Sequence, residues 1–261
     1  PQWFLDELKA VRQKPDLILV GSGMTYWYTG LCETIRFIRK VFPEIPVVLG
    51  GTYATLCYEH AKANSGADLV VRGPAEAEIL KIISEFTGYS ESLAFDPEDF
   101  NTWPYPTYDL QRNISYVPIL TSTGCPFSCS YCASNFLNPR RKIRNPGQVT
   151  EEINYWHQKY AVVNFAFYDD ALLIDPENHI HLILETIIRE GKNVRFHTPN
   201  ALHIREIDQR TALLMYRAGF QTIRLGLETA SFTHRNQFDS KVTRNDFRRA
   251  VKNLQEAGFK K

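Results

Sequence analysis

Val117-Pro118-Ile119-Leu120-Thr121-Ser122-Thr123-Gly124-Cys125-Pro126-Phe127-Ser128-Cys129-Ser130-Tyr131-Cys132 is an apolar run that reaches a glycine and opens onto three cysteines. A short, continuous apolar run closed by Gly reads as a buried strand, so residues 117–123 are expected to form one and the cysteines to lie on the loop that leaves it. The same alternation continues downstream. Strands are expected at residues 164–168, 194–198 and 222–227, and helices at residues 149–159, 176–189, 208–218 and 243–257. Strand–helix units in succession imply a parallel sheet with crossover helices, here a (βα) barrel or part of one. A barrel keeps its chemistry at the C-terminal mouth of its strands, and the cysteines fall there.

Upstream, residues 16–21, 45–51 and 67–73 are further apolar runs, each carrying a Gly at its end. Helical stretches lie between and after them at residues 31–41, 58–64 and 76–86, the last with Ile79, Ile82, Ile83 and Phe86 on one face. This is a second parallel sheet, and ligands bind such sheets where the strands end. Three strands are few for an independent open domain. Between the two regions, residues 89–116 are rich in Pro and aromatics without periodicity, as suits a connector pinned by aromatic packing. The expected organisation is therefore a sheet domain at 1–88, a connector at 89–116 and a barrel-like core at 117–261.

The chain of 261 residues carries 30 Lys+Arg against 29 Asp+Glu, a formal +1, with 44% hydrophobic and 23% charged residues. That composition excludes global disorder and collagen-like repeats, and gives no support to nucleic-acid binding. No stretch approaches the ~18 unbroken apolar residues that span a membrane. The N-terminal Pro1-Gln2-Trp3-Phe4 is not a secretory signal. Five cysteines, an odd number, argue against a disulfide framework and for a reducing, cytoplasmic compartment. The absence of an initiating Met, and the interruption of the alternating pattern at both ends, lead us to expect a piece of a longer protein.

Cys125, Cys129 and Cys132 fall within eight residues. Soft thiolate ligands select zinc or an iron–sulfur cluster. Structural zinc normally takes four closed ligands, but no fourth Cys is near and the closest downstream His is His157. Three cysteines on a cubane of irons leave one iron open to a substrate or cofactor, so the spacing favours a cluster.

Cys-x3-Cys-x2-Cys, with Tyr131 directly before the last Cys, resembles the signature of the radical S-adenosylmethionine (SAM) enzymes. Phe165-Ala166-Phe167-Tyr168-Asp169-Asp170 resembles the segment where that family receives the SAM amino group. Pro199-Asn200-Ala201-Leu202 is similar to its Pro-Asn-Gly-Leu element, with Ala for Gly, and Gly226-Leu227-Glu228-Thr229 to its Gly-x-Glu-Ser segment, with Thr for Ser. The resemblance covers about residues 117–261. The first hundred residues, around Ser22-Gly23-Met24-Thr25, Gly50-Gly51 and Gly73, resemble the last three strands of the cobalamin-binding domain that precedes the barrel in one class of these enzymes. The first strand of such domains, which often carries Asp-x-His-x-x-Gly, is absent from this chain, and Tyr53 stands where relatives often have His.

What the resemblance implies is specific. Cys125, Cys129 and Cys132 would ligate a [4Fe–4S] cluster whose fourth iron chelates SAM, and reductive cleavage of SAM would give a 5′-deoxyadenosyl radical. Tyr131, Asp169, Asp170, Asn200, Gly226 and Glu228 would contact SAM, and Ser22, Gly23, Thr25, Gly50, Gly51 and Gly73 would contact cobalamin. Methyl transfer to an unactivated carbon of a small molecule is the outcome that this architecture implies most often, with a flavodoxin- or ferredoxin-type electron donor as partner. Alternatives are cobalamin-independent rearrangement or cyclisation, and a non-enzymatic metal-binding module.

The residues also carry plainer readings. Asp169 and Asp170 point to opposite sides of a strand end, so one of them reaches the mouth while either can serve the following turn. Asn200 suits a turn after Pro199, and Glu228 a salt bridge to Arg224. The basic run Arg140-Arg141-Lys142-Ile143-Arg144 is a solvated face or a docking patch for an acidic donor. Cys32 and Cys57 read as small buried hydrophobes.

Overall fold

The computed structural model describes residues 2–76, 78–90, 95–231 and 241–260. Residue 77 of the helix expected at 76–86, residues 91–94 of the connector, and residues 232–240 and 261 of the C-terminal region lie outside these. The chain divides into two compact units, Pro1–Glu98 with Phe136–Asn138, and Asp99–Asn135 with Pro139–Lys261.

The first unit runs α1 (Gln2–Lys9), β1 (Ile18–Ser22), α2 (Tyr28–Val41), β2 (Val47–Gly51), α3 (Thr52–Leu56), α4 (Tyr58–Asn64), β3 (Leu69–Val70) and α5 (Ile79–Thr87). Its sheet has the order β1-β2-β3 and is parallel throughout, with Ile18 opposite Val47, Ser22 opposite Gly51 and Val48 opposite Leu69. Val47, Val48 and Leu49 are buried on both faces, which is why the central strand reads as an unbroken apolar run. Ile35 and Ile38, one helical turn apart on α2, bury against the sheet with Tyr53, Ala54 and Ala61. The turn into β3 is tied by Asp68, whose carboxylate accepts from Val47 N and Arg39 Nη2, both at 2.6 Å.

The second unit contains β4 (Val117–Ile119), β5 (Ser122–Thr123), β6 (Lys142–Ile143), α6 (Pro146–Tyr160), β7 (Asn164–Phe167), α7 (Ile180–Arg189), β8 (Arg195–His197), α8 (Gln209–Ala218), β9 (Phe220–Thr222) and α9 (Arg244–Ala257). Its main sheet is parallel, in the order β4-β7-β8-β9. This is the partial barrel wall that successive βα units build. Helix starts obey local chemistry: Asn145 Oδ1 accepts from Gly147 N at 2.8 Å with Pro146 in the first turn of α6, and Asp208 accepts from Thr211 N at 2.7 Å before α8. Phe167 stacks on Phe196 and Phe220 with centroids 5.1 and 5.8 Å apart, joining three strands at the middle of the core. Aromatic residues from the 95–116 stretch pack on the same unit, Tyr105 against Tyr155 and Tyr108 against Trp156, each at 5.5 Å.

Two expected strands are corrected. The run at 117–123 is not one strand: β4 stops at Ile119, and Ser122–Thr123 pairs antiparallel with Lys142–Ile143. The break comes where Thr121 and Ser122 turn their polar groups onto Asp169. The strand expected at 222–227 lies earlier, at Phe220–Thr222, with a register shift opposite Phe196 and His197. Beyond it, among the described residues, the ladder continues only as an isolated bridge, Leu202 to Leu225. Ile223, Leu225 and Leu227, whose alternation suggested a strand, are half-buried against the core without a continuous ladder. Finally, residues 176–189 begin as a 3-10 turn, Pro176–Asn178, before α7.

Candidate functional site

Cys125, Cys129 and Cys132 line one pocket at the C-terminal edge of the second unit's sheet, together with Phe127, Ser134, Asp170, Ala201, Leu202, His203, Gly226, Glu228, Lys241 and Val242. The loop leaves β5 through Gly124, whose φ of 77° lies in the left-handed region that favours glycine. Gly124 N donates to Asp170 Oδ2 at 3.1 Å, and Cys132 N closes a turn onto Cys129 O at 3.0 Å. A backbone amide already serves one sulfur: Ser134 N donates to Cys132 Sγ at 3.4 Å. Among the described residues, no three Cys, His, Asp or Glu side chains converge closely enough for a single metal ion. The three cysteines share the lining of one pocket, and a cluster takes one thiolate per iron.

The donor set fits such a group. Burial pushes the Cys125 thiol up, and Cys129, Cys132 and Asp170 push it further, against the Phe127 amide, which lowers it. Three thiolates and a carboxylate around one pocket repel one another, and a cationic centre is what removes that repulsion.

The adjacent aspartates are used differently. Asp169 is buried and accepts from Thr121 N (3.1 Å), Thr121 Oγ1 (2.6 Å), Ser122 N (2.5 Å) and Ser122 Oγ (2.8 Å), so it pins the root of the cysteine loop and does not line the pocket. Burial pushes its carboxyl up while those donors pull it down. Asp170, the next residue along, points into the pocket, as strand alternation demands. Asn200 lies outside the pocket: its Nδ2 donates to Tyr168 O at 2.8 Å and to Asp169 O at 3.3 Å, clamping the end of β7. Tyr131 is exposed, with Lys241 Nζ 5.5 Å from its ring centroid.

Gly226 and Glu228 reach the pocket from the segment after β9. Glu228 has φ 58°, a left-handed conformation that costs a non-glycine residue about 1 kcal/mol. Its carboxylate lies 3.7 Å from Lys241 Nζ, and Arg224 is engaged instead with Pro199 O at 2.9 Å.

Among the pocket residues not singled out as site residues in the sequence, two carry titratable groups, Lys241 and His203. Lys241 has no local signal. His203 directly follows the Pro199-Asn200-Ala201-Leu202 element, which was the available clue. Its Nε2 lies 3.8 Å from Cys125 Sγ, its ring sits 5.1 Å from that of Phe127, and burial pushes its pKa down to about 4. Three residues of the basic run beyond the loop are engaged with the fold: Arg141 donates to Ile174 O, Lys142 lies over Trp103, and Arg144 is buried against Glu152 and Leu120 O.

In the first unit, Ser22, Gly23, Thr25, Gly50, Gly51 and Gly73 gather where the parallel strands end. Ser22 Oγ donates to Gly50 O (2.6 Å) and accepts from Tyr53 N (3.1 Å) and Ala54 N (3.3 Å), capping the start of α3. Gly51, at φ 91°, is obligatory, because a Cβ there would stand 2.5 Å from Ser22 O. Gly50 and Gly73 face open space: a Cβ at either would meet nothing within 4 Å. Thr55 Oγ1, also missed in the sequence, links this edge by accepting from Gly73 N (3.1 Å) and donating to Gly51 O (2.8 Å). Tyr53 is buried with its hydroxyl 2.7 Å from His60 Nδ1. It is part of the core.

Comparison with known proteins names both units. The profile of the Radical SAM superfamily matches residues 119–261, more than half of the chain, and the chain belongs to that superfamily. The B12 binding domain profile matches residues 6–83. The cofactors of these domains are a [4Fe–4S] cluster with SAM, and cobalamin. Similar curated proteins include the uncharacterized methyltransferase PH0819 of Pyrococcus horikoshii, 23% identical over 87% of this chain and 55% of its own length. Another is the anaerobic magnesium-protoporphyrin IX monomethyl ester cyclase of Synechocystis, 25% identical over 83% of this chain and 49% of its own. The fold is that of the radical SAM methyltransferase TsrM from Kitasatospora setae, solved with cobalamin and a [4Fe–4S] cluster bound, with TM-score 0.73 and 17% identity over 98% of this chain and 59% of that one. The chain spans about half the length of the curated relatives it matches. Among the described residues, no helix is long and apolar enough to cross a membrane.

Proposed function

We propose that this chain is the cofactor-bearing part of a cytoplasmic radical SAM enzyme that methylates an unactivated carbon of a small molecule with the help of cobalamin. The observation that carries the reading is the single pocket shared by Cys125, Cys129, Cys132, Asp170, Gly226 and Glu228. When bound, the cluster supplies the electron that cleaves SAM to methionine and a 5′-deoxyadenosyl radical, and cobalamin supplies a methyl carrier.

The protein's own residues hold and orient these groups. Cys125, Cys129 and Cys132 ligate three irons. Asp170 and Glu228 accept from the ammonium and hydroxyl groups of SAM, and Gly226 lets the ligand approach the backbone. Tyr131 flanks the cluster loop. Asp169 and Asn200 take positioning roles, one fixing the loop's root and the other the end of β7. In the first unit, Gly50 and Gly73 leave the strand ends open for the corrin ring, while Ser22, Gly51 and Thr55 hold the edge in shape. A low-potential cluster needs a flavodoxin- or ferredoxin-type donor. The near-neutral charge gives no footprint for nucleic acid.

The cyclase relatives favour one second reading, radical ring closure on the same scaffold. Anaerobic reconstitution of the intact protein separates the readings. About four irons and four sulfides per chain are expected, lost on Cys→Ala at 125, 129 or 132. A corrinoid spectrum and transfer of the labelled SAM methyl to product support methylation; product without label supports cyclisation. Zinc as the sole metal would defeat both.

A further inference from the structure

The cysteine loop meets one side chain whose part in the chemistry the preceding reading leaves open. His203 leaves β8 on a different loop, 78 residues along the chain from Cys125, yet its Nε2 comes within 3.8 Å of the Cys125 sulfur. Its other nitrogen, Nδ1, is buried and has no hydrogen-bond partner among the described residues. A buried polar group without a partner is costly, so the ring proton belongs on Nε2, the one nitrogen that has an acceptor. If the ring takes a second proton, Nε2 still carries one, so donation does not depend on titration. The ring cannot easily swing away. Phe127 packs on it at 5.1 Å with planes 33° apart, Arg205 lies over the Phe127 ring at 5.7 Å, and the preceding Leu202 is buried and bridged to Leu225.

We propose that His203 is a positioning residue for the cluster, donating its Nε2–H to the Cys125 sulfur and raising the reduction potential of the centre which that sulfur binds. The proposal rests on the reading of Cys125 as a cluster ligand. The physical argument is electrostatic. Reduction adds negative charge that is shared with the ligating sulfurs, and an N–H dipole aimed at a sulfur stabilises the reduced form more than the oxidised one. Cys132 already has such a donor in the Ser134 amide, which the backbone supplies whatever the side chain. At Cys125 the Phe127 amide also acts on the sulfur, but the His203 donor is a side chain, and so can be removed on its own.

The test uses the intact protein, reconstituted anaerobically and titrated electrochemically without SAM, with the reduced cluster read by electron paramagnetic resonance. In His203→Leu the reduced-to-oxidised ratio at a fixed poise is expected to fall about tenfold, equivalent to about 59 mV for a one-electron couple. His203→Gln, whose amide N–H reaches the same place, recovers most of that loss. An unchanged potential in His203→Leu overturns the proposal, and so does an equal fall in His203→Gln, which would mark a packing role alone. If either variant fails to take up iron, wild type decides: pulsed resonance must show an exchangeable proton and a histidine nitrogen coupled to the reduced cluster, and their absence overturns the proposal. Wild type that binds no [4Fe–4S] cluster at all defeats the functional reading itself. A cluster indifferent to position 203 defeats only the role of His203.

Discussion

Asp169 and Asp170 show how one peptide unit separates structure from function. Adjacent residues at a strand end point to opposite sides, so one carboxylate enters the fold and the other the pocket. Asp169→Ala leaves the buried amides and hydroxyls of Thr121 and Ser122 without an acceptor, at a cost of about 3 kcal/mol or more. Urea unfolding should show that loss, and reconstituted iron should fall with it because the cysteine loop is rooted there. Asp170→Ala removes the acceptor of Gly124 N and should keep its iron. Its SAM affinity is expected to drop about tenfold or more by calorimetry, the value of one charge-assisted hydrogen bond. Equal behaviour of the two variants would contradict the division. Glu228 gives a complementary case. Glu228→Gly removes about 1 kcal/mol of left-handed strain and should leave the protein slightly more stable while SAM binding weakens, a trade that a purely structural residue would not show.

At the scale of elements, the ends of helices and strands decide what position the site takes. α9 begins with a reciprocal cap: Asp246 N donates to Thr243 Oγ1 at 3.1 Å, and Thr243 N donates to Asp246 Oδ2 at 2.9 Å. Burial would raise the Asp246 carboxyl, but the Thr243 hydroxyl and amide, with Arg249 and Arg205, hold it below the usual carboxylate range. A depressed folded value means that the cap contributes fully above the unfolded carboxylate pKa and is lost as pH falls through the folded one. Thr243→Ala should cost about 1 kcal/mol at neutral pH. Asp246→Asn should flatten the acid limb of the stability–pH curve, which pH-dependent chemical denaturation would reveal. The elements themselves were largely legible. Buried strands announce themselves as apolar runs, and Asn145-Pro146 and Asp208 are helix starts readable in sequence. Less legible were the places where tertiary bonds override the run. Thr121 and Ser122 look like strand continuation until Asp169, 48 residues away, claims them. The alternation at 223–227 looks like a strand although its continuous ladder stops at Thr222. The three cysteines carried their own chemistry in their spacing, but the proximity of His203 to Cys125 depends on two loops meeting and has no one-dimensional signature.

At the scale of the whole molecule, two parallel sheets each put their ligand chemistry at the carboxyl ends of their strands, and each does so within its own compact unit. The three cysteines and the pocket they line all belong to the second unit, and the glycine-rich strand ends to the first. Cofactor occupancy should therefore be separable by mutation. In the intact protein, the triple Cys→Ala variant at 125, 129 and 132 is expected to lose its iron and sulfide completely while its corrinoid content, read from the visible spectrum per chain, stays at the wild-type level. Gly51→Ala is the converse. A methyl group there meets Ser22 O at 2.5 Å and Ser22 N at 2.8 Å in a left-handed conformation, so the edge formed by Ser22, Gly50 and Thr55 has to open. That strain, about 1–3 kcal/mol, falls on the first unit alone. Its corrinoid content should drop several-fold while iron stays at about four per chain. If the cysteine variant also sheds its corrinoid, or Gly51→Ala also sheds its iron, the two sites are coupled more tightly than two self-contained sheets can account for. Each unit's ligand would then depend on the order of the other.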